Sequence, residues 1–358
     1  MDTITQGLLG ATTAQLGFRQ RIGKDATWLA ALAGIVPDLD IFIQPLLTLS
    51  GRETDDLSRL VIHRGLSHSL LMVPIMALGI TLLWWRFRRS SKSPPPFALL
   101  YACVFVALLT HPLLDWTTSY GTQLFSPFSN RRFALDFMPI IDIFYTPVLI
   151  LTLAVCYIIR KLKSNPRKST LFVGWIGFAL STGYILTGGV MKTLAVKTMQ
   201  KHFPSQAIVA PTASARGQYD AYPQIGTIFL WRTTYRDDAS WAAARVHFLF
   251  PAKPNINQIA IRRNDWTQKA RQLDEVKTFD WFAMGRTRLA YQKQLDAHVV
   301  ECMDMRYGTR PAGLKSIWSL KITFLPDGQV SKIERIRRYQ KRPFWDVVKE
   351  NWSRIWNP

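Results

Sequence analysis

The histidines His63 and His68 open the stretch of this sequence whose residue types could do chemistry. With Arg64 between them, they stand directly in front of an apolar run, residues 66–85, that is long enough to cross a bilayer. Imidazoles at a membrane boundary are costly unless they bind, titrate or coordinate something. Because His63 and His68 are five residues apart, they share no helical face, and we place His63 in the preceding loop and His68 in the first helical turn. We interpret them as part of a metal site completed by the ends of other apolar segments.

Histidine and carboxylate side chains also occur at the ends of two other apolar runs. His111 and Asp115 are four residues apart and share one helical face if the helix continues through Pro112. Asp38 and Asp40 end a shorter run in an irregular stretch. A mixed set of imidazoles and carboxylates suits zinc, or manganese or iron with more oxygen ligands. The predicted metal ligands are Asp38, Asp40, His63, His68, His111 and Asp115.

Further charged residues are candidates for catalysis and substrate binding. Asp136 could accept a proton from the attacking water, and Arg64 and Arg131 could hold a phosphate group. For Arg132 we favour contact with lipid headgroups. Asp142 lies within an apolar run, where a carboxylate is costly, and is therefore a functional candidate as well.

Each of these residues also has an ordinary structural explanation. A single histidine at a helix end is commonly a surface residue, and Asp38 or Ser67 could simply cap a helix. The joint pattern favours a site, because three of the six histidines lie with carboxylates at the ends of three different segments. The other three, His202, His247 and His298, are isolated, and we assign them no site.

The elements that must position these residues are apolar segments. The four long ones are residues 66–85, 97–114, 139–159 and 170–191, and each approaches or reaches the roughly 20 residues that a spanning helix needs. Two shorter ones, residues 5–18 and 27–36, form a re-entrant or tucked helical pair. The predicted fold is an α-helical membrane bundle, residues 1–193, that carries the site and is followed by a small soluble α+β domain, residues 194–358.

The charged residues between the apolar segments predict the orientation of the bundle. Three basic clusters hold 12 of the 18 Lys and Arg residues before residue 194, and they share one face when the segments alternate. The positive-inside rule makes that face cytoplasmic. Nine of the ten Asp and Glu residues fall on the other face, with His63, His68 and His111. We therefore expect the site and the C-terminal domain on the outer side of the membrane.

Residues 194–358 no longer have the pattern of membrane segments. Alternating apolar and polar residues predict strands at residues 227–235, 245–250, 316–324 and 330–338, with a helix at residues 265–283. Asp327-Gly328 predicts a hairpin turn. In residues 343–356, aromatic residues recur at helical spacing beside basic ones. This pattern indicates either an amphipathic helix on a lipid surface or a stripe packed on its own domain.

The net charge of +21 first suggests a nucleic-acid partner. Its distribution argues against one, because most basic residues before residue 194 lie in short clusters between apolar runs, as in membrane proteins. The three cysteines, Cys103, Cys156 and Cys302, indicate neither a disulfide framework nor a cysteine–zinc site. The N-terminus lacks the basic region of a cleavable signal peptide, so we expect the first residues to stay in the mature protein.

In the stretches around these candidate ligands the sequence resembles the YdjM-like family of bacterial inner-membrane proteins, which are described as metal-dependent hydrolases. The similar stretches are residues 1–10, 37–40, 63–69, 111–115 and 119–142, which together cover about residues 1–145. The family is grouped with zinc-dependent phospholipases C and single-strand zinc nucleases. The resemblance therefore implies a helical enzyme whose metals are held by scattered His and Asp side chains. The spacing from His111 to Asp115 is similar to that of a ligand pair in those enzymes.

Gln6 departs from the pattern of that family, in which many members carry a histidine at the corresponding position. A glutamine amide is a poor zinc ligand. The difference implies one of three outcomes: one metal position is lost, the site keeps fewer ligands, or this protein has moved away from catalysis.

Two functions of different classes are consistent with this sequence. The first is a metal-dependent hydrolase with zinc as the expected cofactor, acting on a membrane lipid or lipid-linked phosphoester. The second is a non-catalytic membrane protein with a structural metal site and a basic domain that binds a partner or anionic lipid, and Gln6 and the sizeable second domain favour it. Both imply a multi-pass protein of the bacterial inner membrane whose C-terminal domain is extracytoplasmic, and neither involves nucleic acid.

Overall fold

The chain divides into two compact units in the computed structural model, Met1–Gly188 and Gly189–Pro358. The structure describes residues 1–50, 57–88, 94–204 and 217–338, together with residues 349, 352, 353 and 356. Most of the predicted amphipathic tail, residues 343–356, lies outside the described residues.

The first unit is helical. Its helices are α1 (Thr3–Ala14), α2 (Phe18–Ile22), α3 (Asp25–Ile35), α4 (Ile43–Leu49), α5 (Ser58–Ile62), α6 (Met72–Arg88), α7 (Phe97–Trp116), α8 (Tyr145–Leu162) and α9 (Arg167–His202), of which α9 continues past Gly188. Two 3₁₀ segments interrupt the α-helices, the first at Val36–Phe42 and the second at Leu66–His68. The predicted short N-terminal pair corresponds to α1 and α3.

Among the described residues, α7, α8 and α9 are the helices long and apolar enough to cross a membrane. A fourth span exists if α5, the second 3₁₀ segment and α6 count as one, although the chain bends by 71° between them. Ser69 causes this break, because its backbone is extended and its hydroxyl group accepts a hydrogen bond from Met72 N at the start of α6. His68 therefore lies in the 3₁₀ turn and not in the first turn of the long helix.

Helix α8 begins later than the apolar run that predicts it. Asp142 Oδ1 accepts hydrogen bonds of 2.8 Å from the backbone N atoms of both Phe144 and Tyr145. A carboxylate in this position satisfies the free N–H groups at a helix start. The helix consequently starts at Tyr145, and residues 139–144 are not helical.

Helices α1 and α3 pack closely because each has a glycine at the contact. A Cβ on Gly10 would lie 2.3 Å from the Ala30 carbonyl oxygen, and a Cβ on Gly34 would lie 2.6 Å from the Gln6 carbonyl oxygen. A residue with a side chain does not fit such an approach. The contact fixes the end of α3 against α1, directly before the chain enters the first 3₁₀ segment.

Helix α7 supplies much of the core of the first unit. Its buried residues include Leu100, Val104 and Leu108, which pack with small residues of α3 and with α6. The helix continues through Pro112 without interruption. His111 and Asp115 therefore share one helical face, as the sequence required for a joint role.

The second unit contains two four-stranded antiparallel sheets in which consecutive strands are neighbours. The first sheet consists of β1 (Gln218–Pro223), β2 (Leu230–Arg236), β3 (Ser240–His247) and β4 (Ile256–Ala260), and the second of β5 (Thr287–Gln294), β6 (Ala297–Asp304), β7 (Trp318–Phe324) and β8 (Val330–Arg337). Two helices, α10 (Asp265–Gln272) and α11 (Asp274–Phe282), lie between the sheets in the sequence.

The sequence predicted this unit in outline. The four predicted strands overlap β2, β3, β7 and β8. The turn at Asp327-Gly328 is present, with a φ of +91° at Gly328 and a hydrogen bond from Gln329 N to Asp327 Oδ1. The single helix predicted at residues 265–283 is two helices, because Leu273 between them has an extended backbone.

Candidate metal centre

Three elements of the first unit bring four side chains together. Asp38 comes from the first 3₁₀ segment, His68 from the second, and His111 and Asp115 from α7. One possible ligand atom from each side chain lies within 4.8 Å of the other three. His68, His111 and Asp115 are fully buried, and Asp38 is 5% exposed. A buried Asp/His group of this kind could hold a metal ion.

The distances between these atoms are short. His68 Nε2 lies 3.0 Å from His111 Nε2, and Asp38 Oδ1 lies 3.4 Å from each of the two nitrogen atoms. Asp115 Oδ2 lies 3.4 Å from His68 Nε2 and 3.7 Å from His111 Nε2. In a tetrahedral zinc site with zinc–ligand distances of about 2.0–2.1 Å, ligand atoms lie about 3.3 Å apart. These five separations are close to those around one small divalent cation.

A backbone carbonyl group decides which nitrogen atom of His111 carries the hydrogen. His111 Nδ1 lies 2.6 Å from Gly34 O, and a carbonyl oxygen can only accept. Nδ1 therefore donates, and in the neutral ring Nε2 presents a lone pair to the other three side chains. Histidines that bind metals usually donate their second N–H group in this way.

A serine and an aspartate decide the same question for His68. Ser67 Oγ donates its one hydrogen to Asp40 Oδ2 at 2.9 Å. In its 2.9 Å contact with His68 Nδ1, Ser67 Oγ can therefore only accept, so His68 Nδ1 must donate. Asp40 Oδ2 lies 3.3 Å from the same nitrogen atom. In the neutral ring, His68 Nε2 thus presents a lone pair as well.

The group of four therefore consists of electron donors that face one another in a buried space. Two lone pairs and two carboxylate oxygen atoms at these distances repel one another unless a positive charge lies between them. The two carboxylates balance the charge of a divalent cation, and two nitrogen and two oxygen donors form a set that zinc accepts. The residues present fit a divalent metal ion.

Asp40 and His63, which we predicted as ligands, lie outside this group of four and contact each other. His63 Nδ1 lies 2.7 Å from Asp40 Oδ1, and Asp40 Oδ2 accepts hydrogen bonds from Arg64 N and Ser67 Oγ. Burial alone would raise the pKa of Asp40, but hydrogen bonds from His63 and His68 hold that pKa well below its usual range. Asp40 is therefore an ionised hydrogen-bond acceptor that orients the His68 ring at Nδ1, on the side away from the group of four.

Asp115 is surrounded by donors. Arg64 Nε lies 3.0 Å from Asp115 Oδ2, while Gln6 Nε2 donates to Asp115 Oδ1 at 2.9 Å and the amino group of Met1 contacts the same oxygen. Arg64 has a φ of +59°, is buried, and also donates from Nη1 to Thr118 Oγ1 at 2.7 Å. Arg64 therefore positions Asp115 and is itself held in place by Thr118.

Gln6 meets the site through its amide nitrogen. Besides Asp115, Nε2 contacts His111 O at 3.3 Å. Both partners are acceptors, so the amide group cannot be turned the other way round. Oε1 is buried and accepts no hydrogen bond from the described residues. In this chain, the glutamine supports a ligand through a hydrogen bond.

Asp38 is held by a threonine and by the two imidazoles. Thr3 Oγ1 donates to Asp38 Oδ2 at 2.6 Å, which leaves Oδ1 to face the histidines. Burial opposes ionisation of this carboxyl group, whereas the hydrogen bond from the Thr3 hydroxyl lowers the pKa of Asp38. Asp38 is thus available as an anionic ligand.

Asp136, the predicted proton acceptor, is buried beside the end of α7. Its neighbours Leu135 and Phe137 donate backbone hydrogen bonds to Trp116 O and Thr117 O, and Asp136 has a φ of +56°. The loop that carries it therefore runs along the helix end that supplies Asp115.

Arg131 and Arg132 have different environments. Arg131 is exposed, and its guanidinium group lies over the Phe133 ring at 5.3 Å. Arg132 is buried and donates hydrogen bonds to Leu60 O and Gly121 O. Our expectation that Arg132 meets lipid headgroups is therefore wrong, because its guanidinium group is buried and joins α5 to the loop that follows α7.

Sequence reasoning missed most of the residues that orient the ligands. Gly34 acts through its backbone oxygen, for which a residue type gives no signal. Ser67 appeared only as a possible helix cap, although it lies between Asp40 and His68. Thr3 lies in residues 1–10, one of the stretches that resemble the YdjM-like family. Its hydroxyl group, which donates to Asp38, was the signal that could have identified it.

No curated protein matches this sequence. The family model described as YdjM inner membrane protein matches residues 1–193, which is more than half of the chain and includes the four clustered side chains. With the apolar helices and the buried Asp/His group, this match shows that the chain belongs to the YdjM inner membrane protein family.

Proposed function

We propose that this protein is a membrane-bound, metal-dependent hydrolase that cleaves a lipid or lipid-linked phosphoester. The observation that carries the proposal is the convergence of four donors, with the lone pairs of His68 Nε2 and His111 Nε2 directed at each other across 3.0 Å. Membership of an inner membrane family and the apolar helices support a substrate drawn from the membrane.

The residues of the chain prepare the site for a divalent cation, and zinc is the ion that the donor set suits best. When bound, such an ion makes water nucleophilic near neutral pH and polarises the phosphoryl oxygen. Asp38, His68, His111 and Asp115 hold it. The Gly34 carbonyl group keeps His111 in the tautomer that binds, and supports of this kind typically change metal affinity by about 10–100-fold.

Other charged residues handle the proton and the phosphate group. Asp136 is a buried carboxylate outside the group of four, beside the end of α7, and we assign it the role of proton acceptor. Arg131, the exposed guanidinium of the same loop, holds the phosphate of the headgroup. Arg64 positions Asp115, and its contacts favour this role over direct binding of phosphate.

A second candidate function is a structural metal site in a non-catalytic membrane protein whose basic C-terminal domain binds a partner or anionic lipid. The observation that favours it is the burial of all four ligands, because structural metal sites are closed whereas catalytic sites keep an open position. Gln6 in place of the histidine common in the family points in the same direction.

Hydrolysis of a defined lipid mixture tests the first function against the second. The purified full chain, reconstituted with zinc in nanodiscs of bacterial inner-membrane lipid, should release phosphomonoesters or diacylglycerol that mass spectrometry can detect. His68→Ala and His111→Ala should each lower the rate to background, because each removes a ligand. His202→Ala is the matched control, since His202 contacts the Thr198 carbonyl group and lies outside the site.

Equal rates in the wild type and both ligand variants would contradict the hydrolase. A tightly bound ion without any lipid turnover would favour the structural site.

We also propose that the C-terminal domain is extracytoplasmic. A reporter enzyme that is active only outside the cytoplasm, fused after Pro358, should be active. A second reporter that is active only in the cytoplasm, fused at the same position, should be inactive. The opposite result for both fusions would overturn this orientation.

A further inference from the structure

The first 3₁₀ segment has two faces of opposite character. Asp38 and Asp40 point inward, each 5% exposed, whereas Leu39 between them is 49% exposed and Phe42 is 55% exposed. The turn therefore places a candidate metal ligand and a large apolar side chain on neighbouring residues. The metal centre lies within one residue of an apolar surface.

This apolar surface continues through α4. Ile43, Leu46 and Leu49 are exposed, with exposed fractions of 41%, 62% and 84%. Residues 41–50 contain no charged side chain. We call Leu39 and residues 41–49 the apolar arm. A continuous exposed apolar surface of this kind is unfavourable in water and marks a site of contact with a membrane or another protein.

The other elements that carry ligands also expose apolar residues. Leu66, two residues before His68, is 48% exposed, and Leu113, two residues after His111, is 39% exposed. All three ligand-bearing elements thus turn an apolar side chain outward beside a buried ligand. Apolar side chains exposed together on several neighbouring elements mark a contact with a membrane or another apolar partner.

From this arrangement we propose that the apolar arm lies in one leaflet of the bilayer and that lipid acyl chains pack along it beside the metal centre. The arm is too short to cross, because the seven residues of α4 rise about 10 Å whereas the hydrocarbon core is about 30 Å thick. Acyl chains are the occupant that fits a surface without charge, next to helices that are themselves apolar enough to span the membrane.

The lipid contact stands without any catalytic activity, and the step from that contact to a substrate rests on the proposed function. If the hydrolase proposal holds, a lipid whose tails follow the arm presents its headgroup to Asp38 and the other ligands from the membrane side. The substrate class is then an amphiphile with at least one long acyl or prenyl chain, and a phosphoester without a tail is a poor substrate.

Accessibility of a spin label tests the lipid contact on the full chain in nanodiscs. The native cysteines, all three buried, are replaced by alanine, and a label is attached at Leu46→Cys. Leu151→Cys on α8, 62% exposed, is the lipid-facing control, and Leu295→Cys in the second unit, 100% exposed, is the aqueous control. The label on the arm should collide with oxygen more than with a water-soluble nickel chelate, as at residue 151.

Collision mainly with the nickel chelate, as at residue 295, would overturn the proposal. Protection from both reagents would also overturn it, because a protein segment or a second copy of the chain then covers the arm. The unlabelled Leu46→Gln variant, checked for unchanged metal content, separates the lipid contact from catalysis. It should lower turnover of a long-chain phospholipid about tenfold and leave a short-chain, water-soluble phosphoester unaffected.

These two measurements fail in different ways. If the wild-type protein hydrolyses neither ester, the hydrolase proposal falls while the spin-label result still decides the lipid contact. If both esters are hydrolysed and Leu46→Gln changes neither rate, the role of the arm in substrate binding is contradicted while the hydrolase stands.

Discussion

His68 Nε2 and His111 Nε2 lie 3.0 Å apart, and the second ring nitrogen of each histidine is held by an acceptor, Gly34 O for His111 and Ser67 with Asp40 for His68. Neither Nε2 can donate to the other while both rings are neutral. A bound cation resolves this opposition.

The first prediction concerns metal content. His68→Ala and Asp115→Asn should each abolish stoichiometric metal binding, because each removes one of four donors from a closely spaced set. Elemental analysis of purified protein after dialysis against zinc measures the effect. His202→Ala should retain the wild-type content. Wild-type protein without bound metal, in which the imidazoles share a proton, would contradict this assignment.

The second prediction concerns the residue behind His68. Asp40→Asn should lower metal affinity by about 10–100-fold without abolishing binding, because an amide holds the His68 ring less firmly than a carboxylate does. Competition with a chelating dye measures the dissociation constant. Asp274→Asn, an exposed carboxylate of α11 in the second unit, is the control. Loss of all metal in Asp40→Asn would instead make Asp40 a ligand.

The third prediction links helix packing to the site. Gly34→Ala would place a Cβ 2.6 Å from the Gln6 carbonyl oxygen, so α1 and α3 must separate. Overpacking of this kind costs about 1–3 kcal/mol. It should also weaken metal binding, since the Gly34 carbonyl group orients His111. Gly183→Ala on α9 has open space around it and should change neither the thermal stability nor the metal affinity. Equal behaviour of the two variants would argue against the close packing of α1 on α3.

The fourth prediction concerns pH. Burial raises the pKa of Asp142 to about 6, although hydrogen bonds from Tyr145 N, Phe144 N and the Tyr184 hydroxyl favour its ionised form. The folded state therefore holds this proton more tightly than the unfolded state, in which an aspartate has a pKa of about 3.9. The free energy of unfolding should fall as pH rises from about 4 to about 6, by at most about 3 kcal/mol from this group, and then level off.

Asp142→Asn removes the titrating group while its side-chain oxygen can still cap α8. Thermal unfolding in detergent between pH 4 and 7 should show a smaller decline for this variant than for the wild type. Because all other titrating groups are shared, the difference between the two curves isolates residue 142. Parallel curves would contradict the assigned pKa.

The sequence was most informative where residue type alone decides the chemistry. His68, His111, Asp38 and Asp115 could be proposed as ligands because imidazoles and carboxylates are costly beside apolar runs. The sequence could not show that His63 and Asp40 support the site instead of binding the metal. That distinction depends on the backbone of the first 3₁₀ segment, in which Asp38 and Asp40 face different partners. Neither the two-residue spacing of Asp38 and Asp40 nor the five-residue spacing of His63 and His68 specifies that backbone conformation.

In the second unit, alternation of apolar and polar residues was sufficient for β2 and β7 but not for β4 or β5. The burial pattern of β4 is almost entirely exposed, and the second half of β5 is exposed too, so neither has a buried face for the sequence to display. Their pairing with β3 and β6 is a tertiary contact that no local pattern records.

The hydrogen bond from His111 to the backbone of Gly34 has one more consequence. No side chain can be deleted to remove its acceptor, so, with His111 in place, a substitution changes this bond only by moving the main chain, as Gly34→Ala would, and every substitution that preserves the crossing of α1 and α3 keeps it. The orientation of the His111 imidazole therefore depends on where the main chain places the Gly34 carbonyl group, and a search for conserved functional side chains would not find that acceptor.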